Sequence, residues 1–117
     1  MIQITGLKAS PNQTFTIPDP DAGEPIKFTL YYRPRVRRWF MDVKYLDFEL
    51  HGSKVVISPN LLYQYFRLIP FGLACVSIDK VEPMVVNDFS SERVFLYLLT
   101  TAERDQIIED INSGVIA

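Results

Sequence analysis

The segment from Tyr31 to Val43 constrains the fold more than any other part of the chain. Ile26, Phe28, Leu30 and Tyr32 alternate with Lys27, Thr29, Tyr31 and Arg33. Beyond the run Arg33-Pro34-Arg35-Val36-Arg37-Arg38, Trp39, Met41 and Val43 alternate with Phe40, Asp42 and Lys44. Successive strand side chains point to opposite faces, so period-two alternation on both sides of a proline-containing run predicts two half-buried strands joined by a basic turn. Pro34 suits the turn because it pre-sets φ and cannot donate to a ladder.

The same reading extends along the chain. Ile2 and Ile4 predict a short first strand ended by Gly6, and Phe15 and Ile17 alternate with Thr14 and Thr16 to predict a second. Pro18 to Pro25 holds three prolines and Gly23, a composition that fits a loop and not a ladder. Phe48 and Leu50 continue the alternation. His51-Gly52-Ser53 then reads as a turn into a strand at Lys54-Val55-Val56-Ile57. Leu61 to Leu68 reads as an irregular or short helical segment ahead of Pro70. Strands follow at Gly72–Ile78 and Arg93–Leu99. The last is apolar on both faces, as expected of a central strand or one at a subunit contact.

Thr100-Thr101-Ala102-Glu103 is a capping box, with Thr100 capping the N–H three residues on and Glu103 reaching back. Ile107, Ile108 and Ile111 share a face of the helix it opens, and Asn112-Ser113-Gly114 supplies a stop. The predicted fold class is mainly β: a small antiparallel β-sandwich or barrel with one C-terminal helix. Residues 1–99 form the β-rich domain, and the helix and tail at 100–117 pack on it or on a partner. With 117 residues, 48% of them apolar, the chain can bury a core without staples. Its single cysteine, Cys75, lies in the apolar run Leu73-Ala74-Cys75-Val76 and reads as a buried small hydrophobe. No apolar run approaches the roughly 18 residues of a membrane span. No signal-peptide pattern opens the chain, and the lone thiol is compatible with synthesis in a reducing cytoplasm.

Catalytic chemistry finds no foothold. His51 is the only histidine and no nucleophile or orienting partner is patterned around it. One His and one Cys fall short of a zinc site, so no metal is expected. Asp19 and Asp21 lack calcium-loop spacing, with Pro20 between them. Asp79, Glu82 and Asp88 are spread across a loop, and no glycine pattern cradles a phosphate or other cofactor. The basic turn is the nucleic-acid candidate, because Arg33, Arg35, Arg37 and Arg38 lie beside Tyr31, Tyr32 and Trp39. Against it stand a net charge of −2 and the absence of a second basic run. Trp39 also falls in line with core positions. Arginine and tyrosine are equally anchors of protein–protein contacts. Residues 1–58 carry eight Lys/Arg and six Asp/Glu, and residues 59–117 carry four and eight. A basic hairpin end could therefore pair with the acidic half of a neighbouring copy. The C-terminal Ile107, Ile111, Val115 and Ile116 carry more apolar surface than a small domain leaves exposed. The predicted interface is Tyr31, Arg33, Arg35, Arg37 and Arg38 with those four aliphatic residues.

Asn12-Gln13-Thr14-Phe15, then Ile26-Lys27-Phe28-Thr29-Leu30-Tyr31-Tyr32, the basic turn, Arg38-Trp39-Phe40-Met41-Asp42-Val43 and Arg93-Val94-Phe95-Leu96-Tyr97-Leu98 together resemble the small plug-type baseplate proteins of tailed phages, the cyanophage baseplate plug family. The resemblance covers most of the chain up to about Leu99. It implies a β-rich, non-enzymatic virion component packed near the central hub of a tail baseplate in several symmetry-related copies. The implied partners are hub, tube or spike subunits, with no membrane, cofactor or catalytic residue. The reading from another class is a small nucleic-acid-binding β-barrel that uses the Arg33–Arg38 turn.

Overall fold

A computed structural model describes residues 1–112. Strands run in the order β1 (Ile2–Gln3), β2 (Asn12–Pro18), β3 (Pro25–Arg33), β4 (Arg38–Tyr45), β5 (Phe48–Lys54), β6 (Gly72–Ser77) and β7 (Val94–Leu99), followed by helix α1 (Thr101–Asn112). They form two antiparallel sheets, β2-β3-β4-β5 and β1-β7-β6, with no closed barrel. The sandwich branch of the predicted fold class is the one observed.

The alternation at the hairpin holds residue by residue. Ile26, Phe28 and Leu30 on β3, and Trp39, Met41 and Val43 on β4, are all buried. They meet Leu73, Cys75, Val94, Leu96 and Leu98 from the other sheet in one core. β7 is the central strand of its sheet, one of the two placements its two-sided apolar pattern predicted. Trp39 fills the middle of the sandwich, edge-on to Phe89 at 5.2 Å, and its indole N–H donates to Val85 C=O at 3.0 Å. The segment Leu61–Leu68 forms loose turns around a single 3-10 turn at Tyr63–Tyr65.

One expectation fails. His51-Gly52-Ser53 is not a turn, and Lys54–Ile57 is not a new strand: β5 runs straight through to Lys54. The chain reverses earlier, at Leu46-Asp47, directly after the Tyr45↔Phe48 pair, with Leu46 at φ 50°. No glycine marks that reversal, so the sequence hid it. Gly52, at φ 71°, instead absorbs the register shift between Met41 and Val43. An extra residue in one strand needs a local backbone twist that glycine adopts without steric cost. His51 therefore lies on an edge strand, exposed to solvent.

The capping box forms as read: Glu103 N–H donates to Thr100 Oγ1 at 3.2 Å and Thr100 N–H to Glu103 Oε1 at 3.1 Å. The first turn of α1 is bound to the sandwich. Thr101 Oγ1 donates to Pro70 C=O, Thr101 N–H donates to Asp21 Oδ2 at 2.8 Å, and the N-terminal ammonium pairs with Glu103 at 2.5 Å. Arg104, 7% exposed, donates to the carbonyls of Phe66 and Ile69.

Candidate assembly surface

Arg33 and Arg38 face each other as the last pair of the β3–β4 ladder, and Pro34 to Arg37 close the loop between them. Arg37 N–H donates to Arg33 C=O at 2.9 Å, with Arg37 itself at φ 53°. A non-glycine residue in the left-handed region costs roughly 1 kcal/mol, so the tip adopts a fixed shape only because the ladder below imposes it. Arg33, Arg35 and Arg37 are exposed and Arg38 is half-exposed. None of the four forms an ion pair among the described residues. Four cations thus stand within six residues with no carboxylate neutralising them.

The base of this finger is stiff. Tyr31 and Phe40, directly opposite each other, stack at 6.0 Å, and the Arg33 guanidinium lies 5.2 and 5.7 Å from their ring centroids. Such contacts contribute about 0.5–1 kcal/mol at an exposed site. Tyr31 O–H donates to Asp42 Oδ1 at 3.1 Å, as does Gly52 N–H at 2.8 Å, and His51 Nδ1 lies 3.6 Å from Asp42 Oδ2. Partial burial opposes ionisation of Asp42, yet those donors hold its carboxyl below the usual carboxylate range. Tyr31, predicted as an interface anchor, is half-buried and committed to this cluster.

The remaining predicted residues divide. Ile107 is half-buried on α1. Ile111 belongs to the same helix, but its side chain, together with Val115 and Ile116, lies outside the described residues. The structure does not bring α1 and the arginine tip together, since α1 packs beside β7 in the other sheet.

Sequence reasoning missed Arg93. It stands one residue before β7 and gathers the acidic residues that looked scattered. Its guanidinium pairs with Asp88 and Asp79, each at 2.8 Å, and donates to the Val81 and Glu82 carbonyls. Asp88, 1% exposed, also accepts from the Met84 and Val85 amides at 2.6 and 2.9 Å. Burial opposes its ionisation, but the hydrogen bonds from Arg93, Val85 and Met84 outweigh that and lower its pKa. The Asp79 carboxyl is lowered to about 2, first by the Ser77 hydroxyl and then by the Val81 amide. Met84 and Val85 in turn accept from Tyr32 O–H and the Trp39 indole. The acidic loop is therefore a brace over Trp39. Among the described residues no group of three or more His, Cys, Asp or Glu is placed to hold a metal. Burial, then the nearby Glu82, pushes the Cys75 thiol up to about 12, so it stays protonated at neutral pH.

The fold and this surface define a class: a small two-sheet β-sandwich that presents a stiff cationic hairpin on a braced core. The family model described as Cyanophage baseplate Pam3 plug gp18 matches residues 1–102, and the chain belongs to that family. It is accordingly a structural protein of a phage tail baseplate, and the matched span ends in the first turn of α1. No curated protein matches the chain. No described helix is long and apolar enough to cross a membrane.

Proposed function

We propose that this plug acts without catalysis, packing near the central hub of the baseplate in several symmetry-related copies and linking hub, tube or spike subunits. The observation that carries the reading is the Arg33–Arg38 tip, whose four cations stand on a backbone fixed by the ladder below and have no carboxylate partner among the described residues. Such a tip fits an acidic patch on a neighbouring subunit, where arginine forks bind carboxylates bidentately. The length of α1 beyond Asp105, on which Gln106 and Glu109 are exposed, and the tail form the second contact. Residues 1–99 and the first helical turn are the folded body that carries both. Assembly follows synthesis in the host cytoplasm, and the protein then resides in the virion tail.

The nucleic-acid alternative needs aromatic faces on which bases can stack. Trp39 is fully buried, and Tyr31 and Phe40 cover one another beneath Arg33. The finger offers charge without a stacking platform.

The test replaces Arg33, Arg35 and Arg37 together by serine, and separately removes residues 106–117, which leaves the Arg104 anchor in place. The serine variant should keep the wild-type circular dichroism and melting behaviour, and the truncation, which removes most of α1, should keep the strand signal and a cooperative melt. Both should fail to co-sediment with assembled baseplates. Full incorporation of the serine variant refutes the tip as a contact. Strong salt-dependent binding of the wild type to short DNA shifts the role of the tip to phosphate binding.

A further inference from the structure

Among the described residues strand β2 has one neighbour, β3. Tyr32 N–H donates to Pro11 C=O at 2.8 Å, and the register runs from Asn12↔Tyr31 to Pro18↔Pro25. Because hydrogen-bonded and non-hydrogen-bonded pairs alternate in an antiparallel ladder, Gln13, Phe15 and Ile17 exchange bonds with β3. Asn12, Thr14 and Thr16 turn their main-chain groups the other way. Ser10 Oγ takes the Asn12 carbonyl at 3.0 Å, and the Gln13 side chain holds the Lys8 N–H and C=O, each at 2.9 Å. One end of the edge is thereby closed. Among the described residues no group meets the outward N–H and C=O of Thr14 and Thr16.

Proteins blunt such edges with charge, bulges, brevity or cover. The other three edges here are blunted. β5 carries Glu49, His51 and Lys54 and pairs through a bulge, and β1 is two residues long. β6 is covered by the segment 58–61, whose main chain bonds to Cys75 and Leu73. β2 has seven residues and no charge. Beside it, a groove of about 580 Å³ is lined by Ile4, Leu7, Phe15 and Ile17, with Lys8 its single charged residue.

We propose that β2 is a strand-pairing interface, and that its occupant is β2 of a second copy of this chain. An uncharged edge beside a groove with a single charge matches an uncharged extended strand and penalises a highly charged one. β2 is itself such a strand. Thr14-Phe15-Thr16 also reads the same in both directions, so an antiparallel pair about a two-fold axis at Phe15 sets Thr14 against Thr16 of the partner subunit, and the reverse. Both positions turn their main-chain groups outward, so every free N–H and C=O of the two threonines finds a partner. The inference concerns the isolated protein and does not depend on its place in the baseplate.

Sedimentation velocity on the full chain, across roughly 1 to 300 µM, where small interfaces associate, tests it. A dimer should grow with concentration, and the Thr14 and Thr16 amides should slow in hydrogen exchange by about tenfold or more as it forms. Thr16→Pro removes an N–H that β3 does not use, so the fold should survive and the dimer should be lost. Thr14→Lys, which leaves the main chain untouched and brings a cation to the centre of the new ladder, should weaken the dimer as well. A protein that stays monomeric throughout overturns the proposal. So does a dimer in which the Thr14 and Thr16 amides exchange as in the monomer.

Discussion

Replacing Asp88 by alanine tests the brace over Trp39. The carboxylate is 1% exposed and holds three things: the Met84 amide, the Val85 amide and the Arg93 guanidinium. The two amides lie near the surface, where water reaches them once the carboxylate is gone. Each therefore loses about 0.5–1 kcal/mol, below the 1–3 kcal/mol of a fully buried orphan. Breaking a fully buried ion pair costs about 3–5 kcal/mol. The Arg93 side chain is 21% exposed and keeps Asp79 and two carbonyls, so that contribution falls to roughly 1–2 kcal/mol. The sum is about 2–4 kcal/mol, a large share of a small domain's stability. Urea unfolding followed by the fluorescence of Trp39, the only tryptophan, reads it directly. With a slope near 1.5 kcal/mol per molar, the midpoint should fall by about 1–3 M at unchanged slope. Asp88→Asn, which keeps one acceptor oxygen, should lose about half as much. A midpoint shift below about 0.3 M for the alanine variant refutes the brace.

Two further outcomes follow from the same packing. The carboxyls of Asp88, Asp79 and Asp42 all have lowered pKa values in the folded state, so their stabilisation is complete above the unfolded value near 3.9 and is lost as pH falls toward the folded values, about 2 for Asp79. Urea midpoints should drop between about pH 5 and pH 2.5, less steeply in Asp88→Ala, and a flat profile for the wild type would count against the brace being ionic. Gly72→Ala should cost about 1–3 kcal/mol, because a Cβ there meets the Asn60 side chain at 3.0 Å and Asn60 Oδ1 is fixed by the Leu62 and Leu73 amides. A wild-type thermal melt in that variant would show that Asn60 can swing aside.

The alternation from Ile26 to Val43 determined the central hairpin, its buried face and the place of Trp39, because period two leaves one set of side chains for the core whatever the rest of the chain does. The capping box determined where α1 begins, since both of its bonds form within four consecutive residues. The arginine run was legible as an exposed tip for the same local reason, and the likeness to baseplate plugs rested on that hairpin. What the sequence could not show depends on residues distant in the chain. The Leu46-Asp47 reversal carries no glycine, and its register is imposed by the pairing of β5 with β4. Arg93 reaches back 14 residues to Asp79, and Arg104 is fixed by carbonyls 35 and 38 residues earlier. The open edge of β2 has no signature of its own, because its uncharged alternation would serve equally well in the middle of a sheet. Only the assembled strand order decides which strands lack a neighbour, and so which main-chain groups are left to meet another molecule.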